Sequence, residues 1–268
     1  MPSNDKMGGW AGLLKVIRAQ NTSAMKHKSA ISTTFFQQIL GKLLKIQTIH
    51  ENFLMKVKFC GFTRIEDIKF ALSINVDYIG IVLFEKSKRF VPLNRLEIIT
   101  KTIKEGKYIG VFVNEEIDNV QEIYFKYNLT FTQLHGDENN EYVETLIKKG
   151  VNVIKAFRVK DTKILEEIKE TPAEFILLDA FKEDEYGGTG RRINEEILNY
   201  LLNNIKNKKI FLSGGINKYN IGEILNKFGR RIHGVDISSG IETTHGIKDH
   251  LLMGEIMNKI KMFNNSIL

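Results

Sequence analysis

Cysteine occurs once in this chain, as Cys60. An intrachain disulfide is therefore excluded, and a lone thiol serves either as core filler or as chemistry in a reducing, cytoplasmic setting. Long hydrophobic runs are missing too. No stretch approaches the roughly 18 apolar residues of a membrane helix, so no membrane partner is expected. No apolar core precedes a small-residue cleavage site near the start, which argues against a secretory signal. Acidic residues are almost absent from residues 1–54, where only Asp5 and Glu51 face seven lysines and arginines. Of the formal net charge of +7, that segment holds +5 and the remaining 214 residues hold +2. The main body is close to balanced and gives no electrostatic footprint for nucleic acid.

The basic segment 1–54 has three readings: a transit peptide, a start placed upstream of the true Met55, or a genuine helical appendage. From Met55 onward the pattern changes. Apolar, β-rich runs recur at Lys56–Cys60, Tyr78–Phe84, Lys107–Val113, Thr130–Leu134, Asn152–Phe157, Phe175–Asp179, Lys209–Ser213 and Gly234–Ser238. Their starts lie 22 to 34 residues apart, room for one strand, one helix and two short loops. Thr63 and Glu66 form a capping-box pattern ahead of Ile65, Ile68, Ala71 and Leu72. Pro92 suits a first helical turn, helical periodicity runs through Ile193–Ile205, Ile221–Phe228 and Asp249–Phe263, and Asp249 is placed to cap the last.

Eight strands alternating with eight helices give a parallel α/β fold. A Rossmann sheet needs Gly-x-Gly-x-x-Gly after its first strand, which is lacking here. The reading favoured over a doubly wound sheet is a (β/α)₈ TIM barrel over residues 55–268.

In such a barrel the active site gathers at the C-terminal ends of the strands. Cys60 ends the first run, ahead of a helix whose terminus favours a thiolate; it reads equally as a buried packing thiol. His135 follows strand four. Asp179 ends strand six in apolar surroundings that favour a protonated carboxyl, or else it orders a loop. Gly214 and Gly215 follow strand seven, and Ser239 and Gly240 follow strand eight, where barrels bind phosphate on backbone N–H groups. Asp236 lies on strand eight, as a substrate-binding or an interior hydrogen-bonding residue. Arg89 closes the basic Lys86-Ser87-Lys88-Arg89 loop, well placed for a substrate carboxylate. Gly187-Gly188-Thr189-Gly190 suggests a lid. It is not a Walker loop, since no Gly-Lys-Ser/Thr follows.

These motifs stand in the order of a known family. Lys58-Phe59-Cys60-Gly61, Ser87-Lys88-Arg89, Gln133-Leu134-His135-Gly136, Leu177-Leu178-Asp179, Gly187-Gly188-Thr189-Gly190, Leu212-Ser213-Gly214-Gly215 and Asp236-Ile237-Ser238-Ser239-Gly240 together resemble phosphoribosylanthranilate isomerases. The resemblance runs from about Lys56 to Phe263. It implies an Amadori rearrangement in tryptophan biosynthesis, turning N-(5-phosphoribosyl)anthranilate into an aminoketose without cofactor or metal. It implies Cys60 as the base, Asp179 as the acid, Arg89 on the anthranilate carboxylate, and Gly214, Gly215, Ser239 and Gly240 on the phosphate. His135 and Asp236 are further substrate-binding candidates. The expected partner is a small phosphorylated substrate, for a monomer or homodimer. Arg191-Arg192-Ile193-Asn194 departs from the family pattern after Gly190. Two alternatives are a histidine-pathway aminoaldose isomerase, which uses two aspartates, and a non-catalytic barrel scaffold.

Overall fold

The computed structural model describes residues 54–180 and 192–267. The expectations for the basic segment and for the 187–190 loop lie outside those residues, apart from Leu54.

Eight parallel strands close in sequence order into a barrel. They are β1 (Lys56–Cys60), β2 (Tyr78–Val82), β3 (Tyr108–Phe112), β4 (Phe131–Leu134), β5 (Val153–Val159), β6 (Phe175–Ala180), β7 (Lys209–Leu212) and β8 (Gly234–Ile237). Between and after them run α1 (Ile65–Ser73), α2 (Leu93–Thr102), α3 (Ile117–Lys126), α4 (Asn140–Lys148), α5 (Ile164–Glu170), α6 (Glu195–Asn204), α7 (Ile221–Phe228) and α8 (His250–Ile267). A short antiparallel pair, β9 (Glu242–Thr244) and β10 (Ile247–Lys248), caps the last loop. β1 pairs with both β2 and β8, so the sheet has no edge and the doubly wound alternative is excluded.

Side-chain alternation along each strand divides the core in two. Ile109, Ile154, Ala156, Leu177 and Phe211 form an interior plug, with Tyr78, Phe131 and Phe175 packed against it. Strand residues of the opposite face, such as Val57, Phe59, Ile79 and Ile81, belong to the larger outer cluster, where the helices bury stripes such as Ile68 and Ala71 or Met253, Ile256, Met257 and Ile260. Both faces of every strand are covered, which is why the strands read as continuous apolar runs. Asn75, Asn128 and Asn207 take positive φ just past α1, α3 and α6, so asparagine supplies the left-handed turns that often fall to glycine.

The helix-start expectations divide. Asp249 caps α8 as expected, its Oδ1 accepting from Leu251 N at 2.8 Å and Leu252 N at 3.1 Å. The Thr63 capping box does not form. Arg64 is the N-cap residue without a side-chain cap, Thr63 Oγ1 donates instead to the Gly246 carbonyl at 2.7 Å, and Arg64 reaches forward to Asp67. A distant carbonyl and a buried carboxylate outcompete the local bond. Pro92 sits one place before α2. Among the described residues no helix is long and apolar enough to cross a membrane.

Candidate active site

Polar side chains interrupt the inward row of the barrel at one end. Following the alternation, Lys58 and Cys60 on β1, Gln133 and His135 on and after β4, Arg158 on β5, Asp179 on β6, Ser213 after β7, and Asp236 and Ser238 on and after β8 all share the inner face. At the C-terminal ends of the strands a cavity of about 630 Å³ opens. Cys60, Arg89, His135, Asp179, Gly214, Gly215, Asp236 and Ser239 all line it, with Lys86, Ser87 and Lys88 along one wall. Gly240 does not. It lies in a neighbouring recess that shares Gly215 and Ser239 with the cavity, and a Cβ there would fall 1.9 Å from the Ile216 carbonyl oxygen. Its glycine is required for that close approach of two loops.

On one side of the mouth stands an acid–imidazole pair. Asp179 is buried, its Oδ1 accepting from Ala180 N at 2.9 Å and its Oδ2 3.3 Å from His135 Nε2. That separation is ion-pair range without hydrogen-bond alignment. The other ring nitrogen, Nδ1, is 2.9 Å from Gln133 Nε2. The loop carrying His135 is locked from behind: Glu138 accepts from Asn114 N at 2.9 Å and Gly136 N at 3.0 Å, and pairs with buried Lys155 at 2.8 Å. Arg158 reaches the same loop through Asp137.

Opposite stands the thiol. Cys60 is 7% exposed. The expected helix terminus is absent from its surroundings, because α1 begins only at Ile65. Burial therefore pushes the Cys60 thiol up from its ordinary value, Asp236 adds to the rise, and Lys58 and Lys248 only partly oppose it. The expected downward shift is thus overturned for the free protein. Lys58 is fully buried and donates to Asp236 Oδ1 at 2.9 Å. Burial alone would lower its pKa, but Asp236 and Cys60 outweigh that and hold it charged.

Arg89 grips Glu242 along its Nε–Nη2 edge, at 2.8 and 2.6 Å, which leaves the Nη1 side for another anion. Its aliphatic stem lies over Gly61, where a Cβ would meet Cδ at 2.4 Å. Lys248 Nζ also binds Glu242, at 2.8 Å, and the Cys60 carbonyl, which accepts a further bond from Ser238 Oγ at 3.1 Å. Burial would raise Glu242, yet Arg89 and Lys248 hold it below the usual carboxylate range. Gly214 and Gly215 take φ of +89° and +62°, turning the chain after β7 along the cavity wall.

Reading the sequence left out Lys58, Gln133, Arg158, Glu242 and Lys248 as site residues. Lys58 and Gln133 each lie two positions before a residue that was chosen, so strand alternation alone carried their signal. Arg158 lies one residue beyond the strand run read from the sequence. Glu242 and Lys248 come from the β9–β10 excursion, which has no periodic signature.

The family model described as N-(5'phosphoribosyl)anthranilate (PRA) isomerase matches residues 57–259. The N-(5'-phosphoribosyl)anthranilate isomerase of Thermoanaerobacter sp. (strain X514) is 39% identical over 212 residues, covering 78% of this chain and 98% of its own. Among solved structures, phosphoribosyl anthranilate isomerase from Thermotoga maritima superposes with a TM-score of 0.69 at 29% identity, covering 78% of this chain and all of its own (100%). A phosphoribosyl anthranilate isomerase in complex with reduced 1-(o-carboxyphenylamino)-1-deoxyribulose 5-phosphate gives 0.65 at 30% identity, covering 78% of this chain and 100% of its own.

Proposed function

The chain belongs to the N-(5'-phosphoribosyl)anthranilate isomerase family, and from that premise we propose that Cys60 and Asp179 are the base and the acid of its isomerisation. The activity is the Amadori rearrangement of N-(5-phosphoribosyl)anthranilate in tryptophan biosynthesis. The observation that carries the residue roles is that both side chains line one cavity, from strands β1 and β6 on opposite sides of the ring.

Asp179 gives its proton to the furanose ring oxygen as the C1–O bond breaks, and the anthranilate nitrogen lone pair closes the iminium. The Cys60 thiolate then takes the proton from C2, and the electron pair left behind neutralises the iminium as an enolamine. Tautomerisation to the C2 ketone completes the change, with no net oxidant or reductant. Arg89 receives the anthranilate carboxylate on its Nη1 side. Gly214, Gly215 and Ser239 receive the phosphate; Gly240 supports that loop from behind. His135 and Asp236 contact the sugar portion. A relative's complex with a reduced phosphorylated product analogue supports placing an anion of this size in the corresponding cavity.

Positioned proton transfer contributes about 10²–10⁴-fold per group. Cys60→Ala and Asp179→Asn should each lower kcat by at least about 100-fold, while titration with the reduced product analogue gives a near wild-type Kd. Retention of more than about a tenth of kcat by a folded variant would remove that residue from its role.

A further inference from the structure

Beneath Cys60 lies a cation that this reaction scheme leaves idle. Lys58 precedes Cys60 by two residues on β1, so both point inward, and Lys58 has no exposed surface. Its ammonium donates to Asp236 Oδ1 at 2.9 Å across the β1–β8 seam, where Lys58 and Asp236 are register partners. Gly80, the register partner of Cys60 on β2, bounds the same space: a Cβ there would stand 2.7 Å from Cys60 Sγ and 3.0 Å from Lys58 Nζ. Thiol and ammonium thus share a volume that any side chain at position 80 would invade. An ion buried this deeply is costly, and an apolar residue of similar size commonly serves stability as well or better.

The charges around the thiol are uneven. Lys58 on β1, Arg89 after β2 and Lys248 on β10 are the cations; Asp236 on β8 and Glu242 on β9 are the carboxylates, each already paired. Further round the mouth stand Lys86, Lys88, His135, Arg158, Asp179 and His245. Lys58 and Lys248 favour a thiolate at Cys60, against burial and Asp236, which favour the thiol.

We propose that Lys58 is a positioning residue for the isomerisation: held by Asp236, its ammonium is the counter-charge beneath the Cys60 thiolate, in the part that the sequence assigned to a helix terminus. The inference rests on Cys60 acting as the base. Lys58 works through Cys60 and does not touch substrate. Asp236 has two opposed effects, fixing the ammonium in place and drawing off part of its charge. Lys58 lowers the thiol pKa and Asp236 raises it, so removing each should move the thiol in opposite directions.

The chain has one cysteine, so alkylation by iodoacetamide followed by intact-mass measurement reports on Cys60 alone. Rates are taken across pH and scaled to each variant's own high-pH plateau, which cancels differences in access. Lys58→Met should move the midpoint up by at least one unit, about tenfold slower scaled alkylation below the midpoint. Asp236→Asn, which keeps shape and one acceptor, should move it down. Coincident profiles for wild type and Lys58→Met, or a downward shift in Lys58→Met, overturn the proposal. If Lys58→Met does not fold, Lys58→Gln is read in its place: an upward midpoint supports the role, and an unchanged or lowered one ends it. Alkylation reads the thiol proton and not turnover, so the kcat of Cys60→Ala tests the base assignment separately.

Discussion

His135 presents Nε2 to the Asp179 carboxylate at 3.3 Å while Gln133 Nε2 stands 2.9 Å from its Nδ1. An amide N–H can only donate, so with the amide in this orientation Nδ1 accepts and the ring proton sits on Nε2, on the side of Asp179 Oδ2. Gln133 thereby sets the tautomer, and on the reading proposed above His135 positions Asp179 as the acid. His135→Ala should lower kcat by about 10- to 100-fold and raise KM, because the imidazole also meets the sugar; Gln133→Leu should lower kcat less, with KM nearly constant. Steady-state kinetics decide the matter: kcat within twofold of wild type for His135→Ala would dissociate the imidazole from the acid's function.

Gly215 turns the chain after β7 at φ +62°, a conformation that a β-branched residue adopts only under strain. Gly215→Val should raise KM for the phosphorylated substrate by at least about tenfold, the loss of one or two charge-assisted bonds, with a smaller change in kcat. Inorganic phosphate should weaken as a competitive inhibitor by a similar factor. An unchanged KM would move the phosphate subsite away from this turn.

Asp67 is buried against Arg64, His250 and the backbone N–H of Lys248. Burial would raise its pKa, but these donors outweigh that and hold it below the usual carboxylate range. A folded-state value below the unfolded one stabilises the protein above the unfolded pKa of about 3.9, and the benefit is lost as pH falls from there through the folded value. Asp67→Asn should lower Tm by several degrees between pH 5 and 8, with a gap to wild type that shrinks below about pH 4. Thermal denaturation at several pH values reads this directly. A gap that widened in acid would reverse the assigned sign.

The ring was legible because covered parallel strands must be apolar throughout, and eight such runs at near-regular spacing fit a barrel or a doubly wound sheet, of which the lack of Gly-x-Gly-x-x-Gly favoured the barrel. Cys60 and Asp179 were legible as polar breaks at strand ends. Other features stayed hidden for physical reasons. The thiol's environment depends on Lys58, one pleat lower, whose partner Asp236 lies 178 residues away. Thr63 could not be read correctly because its hydroxyl bonds Gly246, 183 residues on. The constraint on Gly240 was hidden too, since the Ile216 carbonyl pressed against it belongs to another loop. Local pattern reveals which face a residue occupies, and partner choice across the ring is a tertiary outcome.

The Lys58–Asp236 bond crosses the seam between the first and last strands of the barrel. Until β8 docks, the lysine beneath the reactive sulfur has no carboxylate, and a chain still in synthesis has laid down Cys60 long before Asp236. The proposed base thus meets its counter-charge only when the ring closes, although its sulfur is made early, and joining such distant segments is the slow, entropically costly part of folding. Closing the ring sets the Lys58–Asp236 pair below Cys60, so under the role proposed for Lys58 the alkylation rate of that sulfur doubles as a gauge of whether a given molecule has finished folding.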